Sequence, residues 1–321
     1  MKLTEELRAL RGDDTPQRAA QAAMFAARDV WRSSPEVAPV LADLARFAAG
    51  SAMAECPALA ALFEDEDPAA MRLADRLAWV TTRALAAAPL GHVAQRHFTD
   101  GTVSTLLLAQ DGPISLSLIA VDGAGFARKP APLSVNLSPS EQWEHVLAGT
   151  AEADLILARL DGASRVRLEA RQIALAPGKI LARDCSRQAL ILRRVTGCLV
   201  SLRLQRRRHG NEPSREYELA SGELVHQAAG DPRDSRHELM LALLGRMERT
   251  EAAPLMTTIA REPGSDGLRW QALRECLALY TAQGFAALRA VAQSPCDPLA
   301  APSATLCTRL VAAHPQLAEI A

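Results

Sequence analysis

Hydrophobic and polar positions follow three successive patterns along the chain. Before about residue 90, apolar residues recur every three or four positions, as at Val37, Leu41 and Leu44, which is typical of amphipathic helices. Prolines that follow a capping residue or open an apolar stretch mark where such helices begin. They are Pro16, Pro35, Pro57 and Pro68. The pattern therefore predicts a helical region over residues 1–90.

Between residues 91 and 229 the period of the pattern changes to two, which indicates β-strands. The predicted strands cover residues 105–109, 114–119, 153–157, 166–170, 172–175, 189–195 and 198–204. Turn-forming pairs separate them, namely Asp111-Gly112, Asp122-Gly123, Asp161-Gly162, Pro177-Gly178 and Thr196-Gly197. Because short strands follow one another without intervening helices, we expect an antiparallel barrel or sandwich.

Beyond Asp231-Pro232 the helical pattern returns, and it predicts a third region over residues 230–321. The predicted helices cover residues 235–249, 252–261, 267–280, 285–292 and 303–313. The segment from Leu268 to Glu275, together with the helices that follow it, resembles a HEAT-type helical hairpin. Alternatively, these helices form a cap on the β region. Helical pairs of either kind expose ridges that suit protein partners.

The charge balance and the cysteines narrow the class of protein. The chain has 36 basic and 37 acidic side chains, whereas a general nucleic-acid binder usually has a basic surplus. No apolar run reaches the roughly 18 residues of a membrane span, and the charged N-terminal stretch does not resemble a signal peptide. The six cysteines contain no CxxC pair, so no thiolate zinc site is expected and the cytoplasm is the predicted location.

Three segments of the β region are similar to sequence motifs of a known family. Residues 141–149 are EQWEHVLAG, residues 165–168 are RVRL and residues 173–181 are IALAPGKIL. They resemble the cupin double-stranded β-helix, and in particular the sensory cupin domain of AraC-type regulators. Lys179 occupies a position at which that family has an acidic residue, and Asp184 is the last residue of the matching motif. The likeness covers about 70 of the 321 residues. It implies an α+β protein in which an antiparallel cupin-like β-barrel or sandwich is flanked by N-terminal and C-terminal helical regions.

The resemblance also implies where a metal would bind. Catalytic cupins hold a metal ion through two histidines and a glutamate of a first motif and one histidine of a second. With the motifs anchored on Gly149 and Gly178, none of the matching positions has a family ligand. These positions are Asn136, Ser138 and Gln142 in the first motif, and Asp184, Ser186, Ala189 and Arg193 in the second. The resemblance therefore implies a cupin-like domain without metal or cofactor.

Positions expected to line or border the cupin interior are candidate ligand-binding residues. They are Asn136, Ser138, Gln142, Glu144 and Arg187. A metal site assembled from outside the motifs is the alternative, and it would use His92, His97 and His145. His145 lies three positions beyond Gln142, so the two side chains are expected on opposite faces of a strand.

The remaining chemically suggestive stretches favour structural interpretations. Residues 206–208 (RRR) are predicted to lie in a solvated loop, since no aromatic residues interleave them. Asp234 or Ser235 is predicted to cap a helix, with Glu238 completing a capping box. Residues 122–126 (DGAGF) are expected to form a hairpin, because the Lys and Ser/Thr of a phosphate loop do not follow. No Gly-x-Ser-x-Gly nucleophile motif is present.

The sequence supports three functional hypotheses. The first, favoured by the lack of family ligands, is a non-catalytic ligand-binding or regulatory protein that holds a small molecule in the β region. The second is a metal-dependent cupin-type enzyme. The third is an interaction scaffold whose helical ends bind a protein partner, and a homodimer is compatible with it. Nucleic-acid and membrane partners are not expected.

Overall fold

The computed structural model describes residues 12–65, 67–160, 165–208 and 212–319. The chain forms two compact units. The first comprises Met1–Arg208 and Glu218–Glu223, and the second comprises His209–Tyr217 and Leu224–Ala321. The division into regions 1–90, 91–229 and 230–321, which rests on the type of secondary structure, stays a prediction.

Prolines begin the helices of the first unit. Helix α1 (Thr15–Arg32), α2 (Ala38–Ala48) and α3 (Pro57–Ala60) each have a proline in the first two positions, where the missing N–H leaves no hydrogen bond unmade. Helix α4 (Ala69–Ala87) starts directly after Pro68. In α2 the proline is Pro39, so this helix begins three residues after the predicted Pro35. Short 3₁₀ turns lie at Met53–Glu55 and Ala61–Phe63.

The rest of the first unit is dominated by one antiparallel sheet. Its strands are β1 (His97–Thr99), β2 (Val103–Asp111), β3 (Ile114–Asp122), β5 (Ser140–Leu160), β6 (Val166–Leu175), β7 (Ile180–Asp184) and β8 (Gln188–Arg207), while β4 (Ser134–Leu137) lies outside it. The order is β1-β2-β3-β8-β5-β6, and β7 also pairs with β5. Among the described residues, β1 and β6 end this order without pairing with each other, so the sheet is not closed into a barrel by strand pairing.

Strands β5 and β8 are long and change partners along their length. Residues 141–145 of β5 pair with β7, and residues 151–160 pair with β6. Between these parts the β5–β8 register shifts, at Gly149, whose φ of 77° lies in the left-handed region that favours glycine. A bulge of this kind bends a strand. A second apolar cluster lies beside this irregularity, with Val146, Ala151, Leu175 and Leu199 among its members.

The alternation of side chains gives the sheet two different faces. On one face Leu116, Leu202 and Leu204 are fully buried. They belong to a single core cluster with helix residues such as Trp31 and Phe47. The helices of the first unit therefore cover one face of β3 and β8. The opposite face of β5, β7 and β8 carries polar and charged residues, described below.

The second unit contains β9 (Ser214–Glu218) up to Tyr217 and its antiparallel partner β10 (Leu224–Ala228), followed by helices. The helices are α6 (Pro232–Arg246), α7 (Ala253–Arg261), α8 (Asp266–Leu279), α9 (Thr281–Ala292) and α10 (Ala300–Ala313), with 3₁₀ turns at Thr250–Ala252 and Pro315–Glu319. Met256, Leu273, Phe285 and Leu288 form the centre of their core. The likeness of these helices to HEAT-type hairpins stays a prediction.

Three predictions of turns, hairpins or helix caps are wrong. Thr196-Gly197 lies inside β8 and is not a turn, although Gly197 does have a positive φ of 69°. Residues 123–126 form the short helix α5 (Gly123–Phe126), which Asp122 caps by accepting a hydrogen bond from the Gly125 N–H at 2.6 Å. Asp231, not Asp234 or Ser235, caps α6, because Pro232 occupies the first helical position.

No helix among the described residues is both long enough and apolar enough to cross a bilayer.

Candidate functional site

Strand register brings a set of polar side chains together on one face of the sheet. Gln142 and Glu144 are two positions apart on β5 and therefore point to the same side. In β8, Arg203 stands opposite Glu144, and in β7, Arg183 stands opposite Gln142. Ser201 lies two residues before Arg203 on the same side of β8. We call these five residues the buried arginine cluster.

Glu144 is the centre of the buried arginine cluster. Its Oε1 accepts hydrogen bonds from Ser201 Oγ at 2.8 Å and Arg203 Nη2 at 3.2 Å. Its Oε2 accepts one from Arg183 Nη2 at 2.7 Å. The same Arg183 nitrogen also donates to Gln142 Oε1 at 3.1 Å. The carboxylate is thus held on both oxygens, by two guanidinium groups and a hydroxyl.

Glu144 and Arg183 are deeply buried while Arg203 is 30% exposed, and the cluster carries a surplus of positive charge. The side chains of Arg183 and Glu144 are only 5% and 7% exposed. Two arginines and one glutamate leave one positive charge without a counter-charge in the cluster. In addition, the Nε atoms of Arg183 and Arg203 are buried and make no hydrogen bond to any described residue. Buried N–H donors in proteins nearly always have an acceptor, so these two donors are unsatisfied among the described residues.

The protonation states follow from the same geometry. Burial on its own would raise the pKa of Glu144, but the charges of Arg203 and Arg183 and the Ser201 hydrogen bond outweigh it, and the pKa lies below its ordinary value. Burial lowers the pKa of Arg183 even though Glu144 opposes this. A guanidinium nevertheless stays protonated at neutral pH. The cluster therefore contains a carboxylate and two guanidinium ions.

A second ionic network occupies the opposite face of the same strands. Arg206 Nε donates to Glu141 Oε2 at 2.8 Å, and its guanidinium lies over the rings of Phe47 and Trp143, at 4.6 and 5.8 Å from their centroids. Arg208 lies within 3.0 Å of Asp184. The prediction of a solvated loop for residues 206–208 is wrong for Arg206 and Arg207, which belong to β8. Much of this basic run balances neighbouring acids.

The other predicted ligand-binding residues lie in different surroundings. Asn136 is exposed, between the buried Val135 and Leu137 of β4. The Ser138 hydroxyl is 3.0 Å from that of Ser140. Arg187 is exposed after β7, and its backbone N–H donates to the Asp184 carbonyl at 3.0 Å. Only Gln142 and Glu144 of the predicted set belong to the buried arginine cluster.

The three candidate metal-binding histidines have separate surroundings. His145 is buried, and its Nδ1 lies 2.8 Å from the Leu62 carbonyl oxygen. Exposed His97 has Nδ1 3.2 Å from the Gln95 carbonyl oxygen. His92 interacts through its backbone with the Gln21 side chain. Over the parts of the chain that the structure describes, no group of three His, Cys, Asp or Glu residues is placed to hold a metal ion.

Sequence reasoning did not single out Arg183 or Ser201, and it considered Arg203 only as a neighbour of the basic run at residues 206–208. A signal was nevertheless present in the sequence around Arg203. This charged residue lies between Leu202 and Leu204 in the mainly apolar stretch from Leu199 to Leu204, which has the pattern of a strand. A charged side chain that a strand buries requires a partner.

Comparisons with known proteins gave similarity in structure only. No family model and no curated protein matches the chain. One similar solved structure is a cupin superfamily protein from Desulfitobacterium hafniense, with 15% identity, a TM-score of 0.24 and coverage of 35% of this chain and 83% of that one. KdgF from Halomonas sp. has 14% identity, a TM-score of 0.26 and coverage of 35% and 87%. A mutant of Bacillus subtilis oxalate decarboxylase has 15% identity, a TM-score of 0.26 and coverage of 39% and 30%.

The first of these structural neighbours is described as a cupin superfamily protein. The neighbours include enzymes. The likeness covers little more than a third of this chain, and no residue role is carried over from it.

Proposed function

We propose that this chain is a non-catalytic, cupin-like ligand-binding protein that binds a small anion at the buried arginine cluster. One observation carries the proposal: two guanidinium groups share a single carboxylate, and the Nε of each is buried without an acceptor. An anion with two or more oxygens, such as a small carboxylate, would accept from these donors and neutralise the surplus charge. Guanidinium groups match planar carboxylates by paired hydrogen bonds.

The bonding of Glu144 favours binding over catalysis. A general acid or base must exchange a proton with a substrate and needs a pKa near the working pH. The pKa of Glu144 is instead shifted downward, and both of its oxygens already accept hydrogen bonds. Glu144 therefore serves as a fixed counter-charge that keeps the two arginines in place.

Isothermal titration calorimetry tests the proposal with matched pairs of small molecules, for example benzoate against benzamide and succinate against succinamide. The anions should bind and the neutral amides should not. Arg203→Gln should weaken anion binding by about tenfold or more, the equivalent of about 1.4 kcal/mol. Arg167→Gln, an equal change at an exposed position of β6, is the control and should bind like the wild type. Equal binding of acids and amides would refute the anion site.

The scaffold hypothesis has a separate observation in its favour. Helix α6 exposes a stripe of large apolar side chains, made of Leu239, Met240, Leu243 and Met247 at its C-terminal end. Exposed apolar stripes of this kind suit protein partners. Size measurement of the wild type and of Leu239→Glu at several concentrations would test self-association through this helix. We also propose that the protein has a regulatory role and that it is located in the cytoplasm.

A further inference from the structure

A cavity of about 480 Å³ lies in the first unit, between helix α4 and the strands β1, β2, β3 and β8. Helix α4 contributes Leu77 and Ala78, and the strands contribute His97, Leu106, Leu118 and Val200. The volume is within the range of about 300–1,000 Å³ that is typical of small-molecule sites. This cavity is separate from the buried arginine cluster, because Val200 and its neighbour Ser201 point to opposite faces of β8.

Register and residue size explain why the space exists. His97 pairs with Leu106, and Leu106 pairs with Leu118, so these three side chains form one row across the sheet on the face that α4 covers. The helix presents small alanines above this row, at positions 74 and 78. Alanine side chains are too short to fill the gap, and Leu106 and Leu118 remain partly exposed. Elsewhere the same face is closely packed, with Leu116 and Leu202 fully buried.

The lining defines the chemistry of a suitable ligand. None of the lining residues is Lys, Arg, Asp or Glu, so a charged group would gain no counter-charge there. Polar groups lie on the β1 side and also on α4, where Thr81 and Thr82 line the cavity. The Ser104 hydroxyl donates to Thr99 Oγ1 at 2.9 Å, and the His97 ring uses Nδ1 toward the Gln95 carbonyl, which leaves its other ring nitrogen for a ligand. The exposed Phe98 also lines the cavity.

We propose that this cavity is a second ligand site, which takes an uncharged, apolar small molecule with one hydrogen-bonding group, such as an aromatic or medium-chain alcohol. The apolar body would lie against Leu77, Leu106, Leu118 and Val200, and the polar group would meet His97 at the β1 side. The proposal is independent of the anion site, since the two sites use different faces of the sheet and opposite ligand chemistry.

A neutral fluorescent probe, N-phenyl-1-naphthylamine, tests this inference on the full chain. Its fluorescence should rise on binding, and 1-decanol should displace it while benzoate should not. Ala78→Phe places a large side chain in the cavity and should weaken probe binding by about tenfold or more. Ala86→Phe is the matched control, an alanine of the same helix that is exposed and outside the lining. It should bind the probe like the wild type.

The fold of both variants is checked by circular dichroism and thermal unfolding before the titrations. The inference is overturned if the wild type does not bind the probe, or if Ala78→Phe and Ala86→Phe bind it equally well. It is also overturned if Ala78→Phe converts a dimeric wild type to a monomer in sedimentation experiments, because the occupant would then be a second copy of the chain. Displacement of the probe by benzoate would equally contradict the uncharged ligand class.

Discussion

Glu144 and Arg183 are joined by a hydrogen bond of 2.7 Å between adjacent strands, and both side chains are more than nine-tenths buried. Buried ion pairs are weak evidence for stability, because desolvation opposes the attraction between the charges. Removing one partner is different, since the other charge is then left buried and uncompensated. The pair therefore makes the cluster sensitive to changes at either position.

Replacing Glu144 by Gln should destabilise the first unit strongly. The change leaves Arg183 and Arg203 without their shared counter-charge, and we expect the free energy of unfolding to fall by about 3–5 kcal/mol. Urea unfolding measures this loss. Glu169→Gln is the control, because Glu169 is 48% exposed and forms only a long surface pair with Arg159, and it should unfold like the wild type. A loss as small in Glu144→Gln as in the control would contradict a buried ionic cluster.

The stability that Glu144 contributes should depend on pH in a defined direction. Its folded pKa lies below the ordinary value of 4.5, so its contribution is complete above that value and disappears as the pH falls through the folded pKa. The difference in unfolding free energy between wild type and Glu144→Gln should therefore be largest at neutral pH and shrink in acid. Denaturant unfolding over an acidic pH series measures it. A difference that grows on acidification would show that the folded pKa is raised instead.

In the second unit, Arg269 should be the most sensitive charged position of α8. Its side chain is 6% exposed; it donates to the Ala260 carbonyl at 3.1 Å and to Asp297 Oδ1 at 3.0 Å. Arg269→Met leaves both acceptors without this donor, so the unit should lose about 3–5 kcal/mol. Hydrogen exchange of the helices α7 to α10 measures the loss. Arg274→Met, at an exposed position of the same helix, should leave the exchange rates unchanged.

The sequence predicts features that depend on neighbouring residues and misses those that depend on pairing. Helix starts at Pro16, Pro57 and Pro68 are predictable because a proline acts within its own turn. The contacts of Glu144 with Arg183 and Arg203 join residues 39 and 59 positions apart. Only the register of three strands brings them together, and the sequence does not specify that register. The cupin resemblance placed Gln142 and Glu144 among the candidates without indicating their partners.

Gly197 illustrates why local chemistry can mislead. Hairpin turns of types I′ and II′ and G1 bulges all place a residue at positive φ, so Thr196-Gly197 has the composition of a hairpin turn. The chain instead continues as β8, which pairs with β5 on both sides of Gly197, up to Thr196 and again from Val200. The partner strand was not identified over its full length from its own pattern, so the turn was the natural prediction.

The two glycines beside the β5–β8 irregularity should lose different amounts of stability when each is replaced by alanine. Both replacements strain the backbone, but only the one at Gly149 also creates a steric clash. Both glycines have positive φ, 77° at Gly149 and 69° at Gly197, and a left-handed conformation costs a non-glycine residue about 1–2 kcal/mol. A Cβ at Gly197 would meet nothing within 4 Å, whereas one at Gly149 would lie 2.1 Å from the Cys198 carbonyl oxygen. Gly149→Ala should therefore lower the free energy of unfolding by clearly more than Gly197→Ala, as measured by urea unfolding of both variants. Equal losses would mean that β5 and β8 do not approach each other this closely at Gly149.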